Sequence, residues 1–535
     1  MENFVAPVRT TRGSIVPRVA TGILLFFGVL SVLIAGWAAV NSGIGYDSMF
    51  EAQASIVNRQ MDTNLTLDQA YELAPVTSEF YGMLLYQVSE WLHGALSGSS
   101  EWMSPDDPTT YVWFNLVTLF ISLIAVVALS IALGRVFRSW LVGAFVFAGI
   151  MTTPLWLGMS VLDYKDIPVA AGLTLISVGL IWTIHKPAKR NVLAVFIAGL
   201  GATISLGGRA GSLPLIIALP LITLAIIFVI DLRQRDFRRT IRVLVLAVVA
   251  PLVGIVVIWL TNPFAQKNLW RWLWDSIVIA QQYAWEGAVR TAGQELLSTD
   301  LPWWYAPAWL LANLPILTTV WIIFSLVTYA MAMRQRPWGI GRSGVVALLP
   351  LIVQGALLPV LLLLTSPVLY DGIRHLLFMI PALIALGLVG LVALVREAKF
   401  PALGPILAVV VVGASVFAVI RWFPYHYAFI NPIAGWDKSD RNWELDYWGV
   451  SAREATERLA EAGLTPIAII PASEPARPYG ALSQDEVAML TSPWEKSGVY
   501  VFRRWHWELD QRKCEMTFTI ERDGQLLGEG GYCPK

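Results

Sequence analysis

Charge is scarce in this chain. Only 14% of its 535 residues are Asp, Glu, Lys or Arg, against ~25% in soluble globular domains, and that shortage excludes an ordinary water-soluble fold. No Walker loop, dinucleotide fingerprint, nucleophile elbow or zinc motif occurs, so nucleotide-driven transport and serine hydrolysis lack support. The formal net charge is +0 and there is no basic tail, which leaves no sign of a nucleic-acid partner. Tandem repeats and low-complexity tracts are missing too, which sets solenoid architectures aside. Cysteine is reduced to Cys514 and Cys533.

Apolar sequence is what the chain has in abundance. Hydrophobic residues make up 56% of it and the mean hydropathy is +0.61. Runs long enough to cross ~30 Å of hydrocarbon lie at about 18–40, 111–133, 141–160, 167–184, 191–207, 213–230, 241–260, 307–331, 343–364, 375–395 and 402–421. They predict an all-α polytopic membrane protein with about eleven transmembrane helices, the Gly-broken stretch 191–230 reading as two short helices or one interrupted one. Most of the 24 Trp fall near run ends, as an interfacial belt requires.

Lys and Arg divide unevenly between alternate loops. Eighteen, from Arg9 to Lys399, fall on the side of the amino terminus, against seven (Arg59, Lys165, Arg209, Lys267, Arg271, Arg290 and Arg374) on the other. Because positive loops stay in the cytoplasm, the amino terminus is expected there, in a cell membrane, with the tail outside. The first run has ~23 apolar residues where a signal peptide has 7–15, so it reads as a retained anchor.

The expected organisation is a transmembrane domain over 1–421 and a small extracytoplasmic α/β domain over 422–535. The first outer loop, 41–110, carries a capping box at Thr66-Leu-Asp-Gln69 and an apolar stripe over Ser78 to Leu96 suited to a membrane surface. The tail reads as a helix (Ser451 to Ala462), a strand (Pro466 to Ile470), a short helix (Gln484 to Leu490), a strand (Gly498 to Trp507) and a hairpin turning at Asp523-Gly524. Cys514 and Cys533 are equidistant from that turn, and an oxidising compartment would let them pair. Glycines 528, 530 and 531 threaten the register by inviting a bulge.

Ionisable residues beside membrane helices are functional candidates. Asp47 follows the flexible exit Gly43-Ile-Gly45-Tyr46, and Glu51 lies one helical turn farther on the same face. A carboxylate at a membrane rim serves as a general base; a helix cap is the alternative. The turn Asp163-Tyr-Lys165-Asp166 precedes Pro168 and offers a helix start plus one cation to an anion. Its flanking acids favour a combined phosphate and divalent-cation (Mg or Mn) locus, without metal-ligand spacing; a plain hydrophilic turn is the alternative. Arg209, among Gly207, Gly208 and Gly211, and Arg374 are candidates for a donor-phosphate clamp, with snorkelling to headgroups as the alternative. His375 reads as a structural group rather than a base.

Together, Tyr46-Asp47, the Asp163 to Pro168 turn, Pro302-Trp-Trp-Tyr305, Tyr370-Asp-Gly-Ile-Arg-His375, Tyr425 to Asn431 and Glu444-Leu-Asp-Tyr-Trp-Gly449 resemble the polytopic GT-C glycosyltransferases. The bacterial branch related to dolichyl-phosphate-mannose-protein mannosyltransferases looks most similar. That resemblance implies a sugar donor on a polyprenyl phosphate, transfer of a hexosyl or pentosyl group to a glycan, lipid or protein acceptor on the extracytoplasmic side, and Asp47 as base. The family often has an acid directly after that Asp; Ser48 stands here instead, with Glu51 as a substitute. Two other classes remain open, a secondary transporter or lipid-linked sugar flippase, and a binding scaffold. Transporters pair broken helices in repeated halves, and here the Gly-broken region has no clear counterpart.

Overall fold

The structure is a computed structural model that describes residues 15–59, 64–73, 78–81, 83–98, 103–185, 191–283, 285–335, 342–436, 442–464, 467–470, 478–479, 498–502 and 515–532. Every apolar run is helical. Among the described residues eight helices are long and apolar enough to cross a membrane, and ten if each of two bent pairs is one span. The chain is therefore a multi-pass, all-α membrane protein.

Proline decides where the remaining runs break. Trp140–Met151 meets Pro154–Leu162 at 65°, and Tyr305–Asn313 meets Ile316–Met331 at 117°. Thr153 and Leu314, each preceding a proline, adopt extended backbone, because the proline ring disfavours the helical conformation in the residue before it. The run at 343–364 is realised as the shorter apolar helix Leu349–Leu363. The Gly-broken stretch forms two spans, Asn191–Gly208 and Ala210–Gln234, with Arg209 between them in extended conformation.

The helix Asp166–His185 is the central post, with 94% of its apolar window buried. Its contact with Asn191–Gly208 depends on small residues: a Cβ on Gly172 would come 2.3 Å from the Gly201 carbonyl. Close backbone approach of this kind replaces the hydrophobic drive that membrane helices lack. A second tie is polar. Gln354, fully buried, lies in the π-turn Val353–Leu357. Its amide accepts from Ser177 Oγ at 2.6 Å and donates to Thr174 Oγ1 at 3.0 Å and the Phe378 carbonyl at 2.7 Å.

Outside the spans, both reciprocal bonds of the capping box are made, Thr66 N–H to Gln69 Oε1 at 2.9 Å and Gln69 N–H to Thr66 Oγ1 at 3.3 Å. The expected amphipathic segment is a 3₁₀ turn, Ser78–Phe80, followed by the helix Met83–Ser97. Val88, Trp91 and Leu96 of its stripe are exposed, whereas Phe80 turns inward.

A two-stranded hairpin, β1 (Ala288–Thr291) and β2 (Gln294–Leu297), lies in the loop after Thr261. In the tail, β3 (Ile467–Ile470), β4 (Gly498–Phe502), β5 (Glu515–Arg522) and β6 (Gln525–Tyr532) form one sheet in the order β3-β4-β6-β5, packed with the helix Ala452–Glu461. Asp523 and Gly524 both have positive φ, the requirement of a two-residue type I′ turn. The feared bulge occurs twice, between Met516 and Phe518 and between Ile520 and Glu521, and the two shifts cancel. Arg522↔Gln525 and Glu515↔Tyr532 are thus in one frame. Cys514, Cys533, the expected helix 484–490 and the far end of the strand expected to reach Trp507 lie outside the described residues.

Candidate active site

The first span ends at Asn41, and the chain then presses against the tail. A Cβ on Gly43 would lie 2.0 Å from the Val450 carbonyl, so only glycine passes there. The helix Tyr46–Arg59 begins directly afterwards and places Asp47 in its first turn. Asp47 and Glu51 face the same way, since both reach Lys165.

Three cation-bearing helix ends converge on this turn. Arg374 Nη1 is 2.8 Å and Lys165 Nζ 3.5 Å from Asp47 Oδ2. Each base also has a carboxylate of its own: Lys165 Nζ lies 2.8 Å from Glu51, Arg374 Nη2 3.1 Å from Asp371, and Arg209 Nη1 3.1 Å from Asp166. Tyr81 stands between the other two bases, its ring centroid 5.0 Å from Lys165 Nζ and 5.3 Å from Arg209 Cζ. Tyr370 and Trp448 cover Arg374 at 4.6 Å and 5.4 Å. Among the described residues Asp47 thus binds side-chain cations rather than capping its own helix.

The electrostatics follow from burial set against these pairs. Burial pushes the Asp47 carboxyl up, but Lys165 and Arg374 overcome it and hold Asp47 well below the usual carboxylate range. Lys165 is lowered by burial, with Asp47 opposing and Arg374 and Arg209 adding to the shift. Asp163 is pushed up to about 8 by burial and then by Asp166. Burial, then Arg209, Arg374 and Lys165, keeps His375 neutral, its pKa well below the usual imidazole value.

A cavity of ≈ 30 Å³ opens beside the cluster, lined by Phe80, Tyr81, Arg209, Tyr283, Tyr370 and His375 among others. Arg209 Nε and His375 Nδ1 are buried without a hydrogen-bond partner among the described residues, so one N–H of Arg209 stands ready for an anion or for water, with a ring nitrogen of the neutral His375 beside it. His375 packs edge-on against Tyr370 at 4.9 Å. The Tyr46 ring is exposed and packs against Phe50, and its N–H donates to the Trp448 carbonyl at 2.8 Å.

Asp163 Oδ1 accepts from the N–H groups of Lys165 and Asp166 at 3.1 and 2.8 Å, while Asp163 Oδ2 and Asp166 Oδ2 are buried without partners among the described residues. Mg²⁺ or Mn²⁺ held by the carboxylates of this turn would need substrate and water to complete its shell. No group of three or more His, Cys, Asp or Glu among the described residues is placed to hold a metal.

Sequence reasoning reached Asp47, Glu51, Lys165, Arg209 and Arg374, which the structure brings together. It passed over Tyr81, Asp371 and Trp448. Two of these were within reach: Asp371 sits three residues before Arg374, at ion-pair distance on a turn, and Trp448 lies inside a quoted motif. Tyr81 gave no signal, being one aromatic in an apolar stripe.

The chain is thus a membrane helix bundle with a buried ion cluster where helix ends meet. Two solved structures are similar to it. One is the crystal structure of ArnT from Cupriavidus metallidurans in the apo state, 12% identical, covering 96% of this chain and 98% of that one, TM-score 0.48. The other is ArnT from the same organism bound to undecaprenyl phosphate, 11% identical, covering 95% and 98%, TM-score 0.45. No protein-family model and no curated protein sequence matches the chain.

Proposed function

We propose that the chain is a membrane glycosyltransferase that moves a sugar from a polyprenyl-phosphate-linked donor to an acceptor hydroxyl on the extracytoplasmic side. Asp47 is the general base, and Lys165, Arg209 and Arg374 receive the donor phosphate. The observation that carries this reading is the joining of Asp47 to Lys165 and Arg374, residues 118 and 327 positions away, beside a cavity with unpartnered nitrogens. Isolated charges at membrane helix ends are costly, and a shared anionic substrate offsets that cost.

At rest three cations, Lys165, Arg209 and Arg374, face four carboxylates, Asp47, Glu51, Asp166 and Asp371, and an Asp47 paired this tightly is a poor base. A phosphodiester entering beside Arg209 competes for Lys165 and Arg374. As those cations turn to phosphate, Asp47 loses the charges that depress it and its basicity recovers. Its carboxylate then takes the proton of the acceptor hydroxyl, whose oxygen bonds to the anomeric carbon with inversion while the bond to the phosphate oxygen breaks. The polyprenyl phosphate leaves with its added negative charge on the guanidinium and ammonium groups. The base is therefore freed by the donor itself.

Purified protein supplied with a polyprenyl-phosphate sugar and a panel of hydroxyl acceptors tests this directly. Product that requires Asp47 supports it, and movement of donor across vesicles without any transfer overturns it.

A further inference from the structure

We propose that Trp448, in the segment that follows the last span, is a positioning residue for the Asp47–Arg374 pair. This rests on the roles given above to Asp47 and Arg374. Trp448 Nε1 donates to Asp371 Oδ2 at 3.2 Å. That same oxygen lies 3.1 Å from Arg374 Nη2, and the other terminal nitrogen of Arg374 is the one that reaches Asp47. The Trp448 ring lies against the guanidinium, and the Trp448 carbonyl accepts from the N–H of Tyr46, the neighbour of Asp47. One residue thus grips both ends of the pair, through Asp371 on one side and through the start of the Asp47 helix on the other.

The grip is itself well anchored. Trp448 is buried and stacks on Tyr427 at 5.5 Å with 15° between the rings. Asp446, fully buried and in left-handed backbone at φ 47°, accepts from the Tyr427 and Ser451 hydroxyls and from the Val450 N–H. On the opposite side, Asp371 and Gly372 also have positive φ, at 56° and 68°, a turn that brings the Asp371 carboxylate to both the indole and Arg374. Arg374 has one fork of donors to divide between two acids. Without the indole N–H, Asp371 satisfies itself by drawing Arg374 closer, and the guanidinium moves away from Asp47 and from the place the donor phosphate takes.

Trp448→Phe keeps an aromatic ring against Tyr427 but removes the N–H donor together with part of the ring volume. In the full-length protein it lowers kcat/KM for the polyprenyl-phosphate sugar ~10-fold, the range expected for a hydrogen bond to a charged acceptor, with the acceptor KM at its wild-type value and the protein still folded at the assay temperature. In an Asp371→Asn background the same change has little further effect, because the step it acts through is gone. Should Trp448→Phe fail to fold, Asp371→Asn, which leaves the indole in place, must itself show the donor-side loss. Wild-type kinetics in Trp448→Phe, a loss that only tracks falling stability, or an effect undiminished beside Asp371→Asn overturns the proposal. Asp47→Asn separates the two levels. If that variant is fully active the proposed function falls, and if it is inactive while Trp448→Phe is unimpaired only the role of Trp448 does.

Discussion

Lys165 is nearer to Glu51, at 2.8 Å, than to Asp47, at 3.5 Å. The ammonium therefore has a carboxylate to itself before it serves the base. Glu51→Gln makes Asp47 the remaining acid in ion-pair reach of Lys165 and draws the ammonium onto it, which depresses the base further. We expect the rate to fall by several fold, on the order of one hydrogen-bonded charge, with donor affinity little changed. Steady-state kinetics with donor binding measured separately checks this.

Asp47→Asn preserves an oxygen for Arg374 but cannot take a proton. Transfer should drop ~10²- to 10⁴-fold, and donor binding should hold or tighten because a competing anion is gone. In the wild type, Asp47 stays ionised far down the pH scale while Lys165 and Arg374 face it. The acid limb of kcat/KM, which reports the free enzyme, should therefore lie at lower pH than the acid limb of kcat, which reports the donor complex. Coincident limbs would show that the donor does not release the base.

Arg209→Lys keeps the charge but loses the planar fork and the unpartnered Nε. Donor affinity should weaken by about tenfold, with kcat on saturating donor largely kept, because bidentate geometry and not charge alone recognises a phosphate. Competition by undecaprenyl phosphate in a binding assay reads this out.

Asp163 supplies a pH signature of stability. Its folded pKa of about 8 stands above the ordinary 3.8, so the folded state holds the proton more tightly than the unfolded chain. Its contribution is complete below about pH 4 and is lost as pH rises towards about 8, with a slope of at most ~1.4 kcal/mol per unit. Thermal unfolding across that window should show a falling stability that Asp163→Asn flattens.

The tail hairpin carries a covalent expectation. Glu515 and Tyr532, which flank Cys514 and Cys533, are paired in the ladder, and the sequence spacing of the cysteines about Asp523-Gly524 is symmetrical. We expect a disulfide, contributing about 3 kcal/mol in the loop-entropy description. Alkylation of exported, unreduced protein should leave both thiols unlabelled.

Hydropathy made the helices legible because the bilayer imposes a length on them, and Pro154 and Pro315 account for where two of the runs fold back. The candidate site was legible in its charges for a related reason: an Arg or Asp at a helix end in so apolar a chain stands out. What the charges did not disclose was their pairing. The spacing of Asp371 put it within reach of Arg374, but nothing in the spacing of Asp166 says that it neutralises Arg209. Trp448 stood inside a quoted motif, but its role was not legible there, because it depends on the tail folding back over the first loop, a contact between distant parts of the chain that no local pattern encodes.

The π-turn at Val353–Leu357 has a consequence for how this protein tolerates change in length. Its wider ring accommodates a residue that a regular helix would not, and Gln354 within it joins the helix that begins beside Lys165 to the carbonyl of Phe378, a turn beyond Arg374. Deleting one residue there would let the helix wind uniformly and would shift Gln354 relative to Ser177, Thr174 and Phe378. The amide would lose its partners, and the tie between the helix that begins beside Lys165 and the segment that follows Arg374 would go with it. A loss of one codon in the middle of the membrane would in that way be felt at its surface.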